Sequence, residues 1–135
     1  MRIIAASGYF NPLHRGHVEY LEKAKALGDY LIVIVNSDHQ RQLKGSKEFM
    51  GEEERMRIVA ALKCVDEVVL ARDKDTSVRL SLEMMRPTPH IFAKGGDRFA
   101  SEIPEAEVCR RLGITMVDGL GAKVQSSSWL LEEVK

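Results

Sequence analysis

Gly8-Tyr9-Phe10-Asn11-Pro12-Leu13-His14-Arg15-Gly16-His17 joins two different patterns of apolar residues. Before it, Arg2-Ile3-Ile4-Ala5-Ala6 is a short apolar run ending in Ser7-Gly8; after it, Val18, Leu21, Ala24 and Leu27 recur at helical spacing. The spacing predicts a strand end, a loop and a helix start, with His14 and His17 at the junction. A helix start offers unsatisfied backbone N–H groups and the positive end of the helix dipole, so it favours an anion. Each imidazole adds a donor aimed at the same point. Gly16 leaves room for a phosphate oxygen to approach the backbone, and Pro12 stiffens the loop. The segment therefore predicts a phosphate site; capping or solvent-facing histidines and a His-x-x-His metal site are the alternatives.

Outward from this junction, strand-like and helical patterns alternate. Tyr30 to Val35 is predicted as a buried strand, Glu52 to Leu62 as a helix with Met56, Val59, Ala60 and Leu62 inward, and Glu67 to Ala71 as a third strand. Ser77 to Met85 follows as a helix and His90 to Ala93 as a strand. Pro104 opens a helix that Gly113 stops after Leu112, Thr115 to Val117 is a fifth strand, and Ser126 to Val134 is a closing helix. This alternation predicts one Rossmann-like α/β domain over residues 1–135, a five-stranded parallel sheet with helices on both faces. In such a sheet the ligand lies beyond the carboxyl ends of the strands, where the strand order reverses.

Composition narrows the partners. The 135 residues carry 20 Lys plus Arg and 20 Asp plus Glu, so no nucleic-acid or acidic-lipid surface is indicated, and any cationic site must be local. Cys64 and Cys109 lack metal-ligand spacing and fit buried, reduced thiols. No stretch reads as a signal peptide or is long and apolar enough to span a bilayer, which predicts a soluble cytoplasmic protein with no membrane partner.

The loops that leave the strand ends share one chemistry. Ser7 to Arg15 holds the histidines; Asn36 to Met50 holds Asp38, Lys44 and Lys47; the loop after the fourth strand reads Lys94-Gly95-Gly96-Asp97-Arg98; the last delivers Ser126-Ser127-Ser128 to a helix start. Arg55, near the start of the helix over 52–62, could face the same cleft.

His14-Arg15-Gly16-His17 behind Gly8-Tyr9-Phe10-Asn11-Pro12 resembles the HxGH signature of the cytidylyltransferase-like nucleotidyltransferases. Leu21 to Leu31, Glu54-Arg55 through Val68 and the serine cluster at 126–128 look like the small bacterial glycerol-3-phosphate cytidylyltransferases. Lys94-Gly95-Gly96-Asp97 looks more like the KGGD of the heptose-1-phosphate adenylyltransferases. The resemblance covers nearly the whole chain and implies an enzyme that moves CMP or AMP from CTP or ATP to a phosphorylated small alcohol or sugar, releasing pyrophosphate. It implies Mg²⁺ carried on the triphosphate and held mainly by substrate and water, with no protein metal site, and a homodimer.

On that match His14, His17 and Lys44 are the catalytic residues. The histidines would donate to the phosphate chain, and Lys44 would be a point charge on the 36–50 loop, with a merely solvated lysine as its alternative. Arg55 would clamp phosphate bidentately, with a surface helix arginine as its alternative. Ser126, Ser127 and Ser128 would hold the β- and γ-phosphates, although one serine suffices for a plain N-cap. Gly95, Gly96 and Asp97, following Lys94, would floor the base and ribose site unless they form only a structural turn. Tyr9, Phe10, Asn11, Gly16 and Lys123 complete the expected nucleotide and phosphate contacts.

Three departures fall near the expected acceptor. Tyr9 replaces a small hydroxyl residue, Asn11 stands where many members have Asp, and Leu120-Gly121-Ala122-Lys123 replaces an Arg-Thr-Glu-Gly loop, leaving Lys123 as its only cation. Tyr9 or Trp129 could stack on a base, or serve as a core or rim aromatic. Two other functions stay open: adenylyl transfer to a cofactor precursor of the FMN or nicotinate mononucleotide type, and a non-catalytic nucleotide-binding module. The intact histidine pair speaks against the module.

Overall fold

The computed structural model describes residues 1–95 and 104–120. Five strands, β1 (Ile3–Gly8), β2 (Tyr30–Val35), β3 (Glu67–Leu70), β4 (Ile91–Gly95) and β5 (Thr115–Leu120), form one parallel sheet in the order β3-β2-β1-β4-β5. The chain winds outward from β1 to β3, then returns to place β4 on the other side of β1. That reversal between β1 and β4 is the switch point.

Because neighbouring residues of a strand point to opposite faces, the apolar runs of β1 and β2 feed two cores at once. Ile4, Ala6, Leu31, Val33 and Val35 pack under α1 (Arg15–Lys25) and α3 (Glu52–Ala60), through Leu21, Ala24 and Val59. Ala5, Ile34 and Phe92 pack on the other face, against Val78 and Leu82 at α4 (Arg79–Met84) and Val108 and Cys109 of α5 (Ala106–Leu112). The expected Rossmann-like sheet with helices on both faces is thus observed. Gly113 ends α5 in the left-handed region at φ 74°, where it accepts a conformation costly to other residues. Cys109 is buried as expected, with its thiol pushed up to about 11 by burial, whereas Cys64 is only half-buried; both are free thiols.

One helix was not anticipated. Within the expected 36–50 loop lies α2 (Asp38–Lys44), opened by a reciprocal cap in which Ser37 Oγ accepts from Gln40 N–H and Gln40 Oε1 accepts from Ser37 N–H. Gly45 closes it at φ 84°. The closing helix predicted over 126–134 lies outside the described residues.

At the switch point the sheet is held partly open. Pairing of β1 with β4 runs from Ile4↔Ile91 to Ala6↔Ala93. Just beyond, the Tyr20 hydroxyl of α1 accepts from Ser7 N–H (3.2 Å) and donates to Ala93 O (2.6 Å), bridging the two strands with a side chain. A cleft begins there.

Candidate functional site

The β1–α1 junction is built around its two histidines. His14 is the N-cap of α1: its Nδ1 accepts from Gly16 N–H at 3.0 Å, while His17 Nδ1 accepts from His14 N–H at 3.1 Å. The rings stack with centroids 3.8 Å apart, and the Phe10 ring meets His17 nearly edge-on at 5.1 Å. Since Nδ1 of each ring accepts a hydrogen bond, each neutral imidazole carries its proton on Nε2. Burial, and then the neighbouring His14, hold His17 down to about 4, and burial lowers His14 as well. Both rings are therefore neutral Nε2 donors at neutral pH.

This corrects one part of the sequence reading. Three backbone N–H groups of the helix start are already used, by the His14 side chain for Gly16 and by the His14 carbonyl for His17 (2.9 Å) and Val18 (3.2 Å). Gly16 is buried in the first turn and shapes the cap, so its N–H, which the sequence reading offered to a phosphate, is spent on His14.

Phe10 and Asn11, both expected as nucleotide contacts, have other work. Phe10 is 1% exposed, sits in the core at φ 52°, and supports His17 from below. Asn11 Oδ1 accepts from Phe49 N–H (2.9 Å) and Met50 N–H (3.1 Å), and its Nδ2 donates to Lys47 O (2.7 Å). Its amide is thus committed to holding the 47–50 segment against the histidine loop.

Gly8 keeps this arrangement possible. A Cβ there would lie 2.7 Å from Phe10 Cζ, so Gly8→Ala is expected to displace the ring that backs His17 and to lower stability by about 1–3 kcal/mol, read as a drop in unfolding temperature.

Arg55 is fully buried, against the expectation of a phosphate clamp. Its Nε donates to Met50 O (3.0 Å), one terminal nitrogen to Tyr9 O (2.8 Å) and Asn36 O (2.7 Å), and the other to Asp38 Oδ1 (2.8 Å). The guanidinium ties the ends of β1 and β2 to α2 and to the segment before α3, and four of its five N–H donors are spent on protein. It acts on the cleft only by positioning those loops.

The cleft itself has a volume of about 460 Å³ and opens at the ends of β1, β2 and β4. Ser7, Gly8 and Tyr9 line it from the end of β1, Asn36 and Lys44 from the segment after β2, Thr76 and Val78 from the segment after β3, and Lys94 and Glu105 from β4 and the start of α5. Lys44 is the last residue of α2 rather than a loop residue, and its Nζ lies 4.4 Å from the centroid of the Tyr9 ring. Gly95 ends β4, and a Cβ there would meet the Tyr20 ring at ordinary contact distance. Sequence reasoning missed Glu105, the N-cap of α5, which is 3% exposed; its Oε2 accepts from Val78 N–H at 2.8 Å. Gly96, Asp97, Arg98, Lys123, Ser126, Ser127, Ser128 and Trp129 lie outside the described residues.

A parallel sheet reversing at β1 and β4, a polar cleft at that reversal and an imidazole pair at the first strand–helix junction define a Rossmann-like α/β domain built to meet anions. The chain belongs to the cytidylyltransferase-like family, whose model matches residues 5–116. It is similar to the bifunctional protein HldE of Pelobacter propionicus, 44% identical over 131 residues that cover 96% of this chain and 24% of that protein. The bifunctional protein HldE of Helicobacter pylori is 36% identical over 136 residues, 99% of this chain and 28% of its own length. The chain thus spans about a quarter of the length of these relatives. Among solved structures, the lipopolysaccharide core biosynthesis protein of Thermoplasma volcanium matches with a TM-score of 0.68 and 31% identity, over 88% of this chain and 94% of that one.

Proposed function

We propose that this protein transfers a nucleotidyl group, AMP or CMP, from ATP or CTP to a phosphorylated sugar or small alcohol and releases pyrophosphate. The observation that carries the reading is the histidine pair, whose Nδ1 atoms both accept backbone hydrogen bonds and so keep the ring protons on Nε2, in the segment that follows Ser7, Gly8 and Tyr9 of a lysine-bearing cleft. The Lys94-Gly95-Gly96-Asp97 resemblance, and the naming of a similar solved structure for lipopolysaccharide core biosynthesis, support ATP and a sugar phosphate for a cell-envelope polymer.

In the proposed mechanism a phosphate oxygen of the acceptor attacks the α-phosphorus of the NTP. A new P–O bond forms as the bond from the α-phosphorus to the bridging oxygen of the β-phosphate breaks, and pyrophosphate carries off the electron pair. The attacking phosphate is already an anion at neutral pH, so no strong general base is required. His14 and His17 donate to the negative charge that builds at the α-phosphate and the leaving group, and Lys44 adds a fixed positive charge from the end of α2. The lysine of the cleft suits the anionic triphosphate rather than a metal; Mg²⁺ would arrive on that triphosphate, held by the substrate and water, and would neutralise phosphate charge. Among the described residues no three His, Cys, Asp or Glu side chains gather as a metal cage.

The test is a matrix of ATP, CTP, GTP and UTP against heptose 1-phosphate, hexose 1-phosphates, glycerol 3-phosphate, FMN and nicotinate mononucleotide, read as pyrophosphate release with Mg²⁺. Release with ATP or CTP and one sugar or alcohol phosphate is expected. Release only with a mononucleotide would move the assignment to cofactor synthesis; nucleotide binding with no release in any cell would make the protein a sensor. We also place it in the cytoplasm as a homodimer. No helix among the described residues is long and apolar enough to cross a membrane.

A further inference from the structure

Two buried polar atoms of the cleft wall have no hydrogen-bond partner among the described residues: Glu105 Oε1 and the Tyr9 hydroxyl. Around them Arg55, Asn11 and Gln40 each spend several donors or acceptors on named protein partners; Arg41 Nε of α2 is also unpartnered among the described residues but does not line the cleft. An unpartnered buried carboxylate oxygen is destabilising unless something brings it a donor. Glu105 is held for that purpose, because Val78 N–H fixes Oε2 and leaves Oε1 as the unpartnered oxygen of a residue that lines the cleft.

The charges across the cleft state what can bring that donor. Lys44 calls for an anion, while Glu105 repels one, so a bare polyphosphate fits only the part of the cleft near Lys44. A ligand that carries a phosphate at one end and hydroxyls at the other satisfies both. Burial keeps the Tyr9 hydroxyl protonated, and an O–H both gives and takes a hydrogen bond.

We propose that Glu105 Oε1 and Tyr9 Oη read the hydroxyls of the acceptor, which is a phosphorylated polyol or sugar whose phosphate lies toward Lys44. This rests on the nucleotidyl-transfer reading and adds to it the chemistry by which the acceptor is selected.

The experiment is calorimetric titration of heptose 1-phosphate, glycerol 3-phosphate and methyl phosphate into wild type, Glu105→Gln and Tyr9→Phe, with ATP and CTP titrated separately. Glutamine keeps an oxygen for Val78 N–H but offers the cleft an amide in place of a carboxylate oxygen. The expected result is polyol phosphate binding weakened about tenfold or more in Glu105→Gln and by a smaller factor in Tyr9→Phe. Methyl phosphate and nucleotide affinities should stay within about twofold of wild type, with unfolding temperatures confirming that the variants fold. Equal polyol phosphate binding by all three proteins overturns the proposal and leaves nucleotidyl transfer standing if wild type releases pyrophosphate. Loss of ATP or CTP affinity in Glu105→Gln also overturns it, by moving Glu105 to the nucleotide. No binding of either polyol phosphate to wild type overturns the proposal and the acceptor reading together.

Discussion

His17→Ala is expected to lower pyrophosphate release by about 10²–10³-fold, corresponding to about 2–4 kcal/mol of lost transition-state stabilisation for one preorganised donor. The same substitution removes the acceptor that satisfies His14 N–H, so it also costs about 1 kcal/mol of helix capping. His17→Asn separates the two effects: its side-chain oxygen can accept from His14 N–H, yet it has no Nε2 to reach a phosphate. Loss of turnover in His17→Asn with stability near wild type is the expected outcome. Wild-type turnover by the folded asparagine variant would remove His17 from the chemistry.

The pH dependence follows from the same ring. Unfolded, His17 takes up a proton near its ordinary value of 6.5; folded, it does so only near 4, because charging it means protonating the Nδ1 that caps His14 in a buried stack. Between those values the unfolded state binds more protons, so this contribution to stability is complete above pH 6.5 and is lost as pH falls toward 4. It amounts to about 3 kcal/mol at most. Unfolding temperature should fall over that window in wild type and less steeply in His17→Asn.

The fold was legible because it depends on local periodicity: continuous apolar strands, helices opening after Pro104 or closing at Gly113, and a βα alternation that permits few topologies. Helix α2 escaped because seven residues carry no resolvable apolar period, although Ser37-Asp38-His39-Gln40 and Gly45 spell out its two caps. The site was legible only where neighbours in sequence are neighbours in space. His14 and His17 are three residues apart and face each other on one helical turn, so their partnership could be read directly. Glu105 meets Val78 across 27 residues and Asn11 meets Met50 across 39, through loop packing that no local pattern encodes. Phe10 likewise reads as a loop residue, and only its positive φ turns the ring into the core beneath His17.

Arg55→Met is expected to be the most destabilising single change in the loop region, by about 3–5 kcal/mol. Methionine matches the aliphatic stem and fills much of the space, so the loss is polar: Asp38 loses its ion-pair partner, and the carbonyls of Tyr9, Asn36 and Met50 lose their donors in a dry site. For a chain of this size the fall in unfolding temperature should be about 10–15 °C. Arg55→Lys should recover only part of it, because one ammonium cannot span four acceptors lying in different directions. A functional consequence comes with the structural one. Tyr9 and Lys44 meet in the lining of the cleft, and Arg55 is what fixes the main chain of Tyr9 and, through Asp38 and Asn36, the start of the helix that ends in Lys44. The KM for the acceptor should therefore rise in Arg55→Lys at a temperature where the variant is fully folded. The opposite pattern, wild-type unfolding temperature with selective loss of nucleotide affinity, would return Arg55 to the direct phosphate contact that the sequence alone suggested.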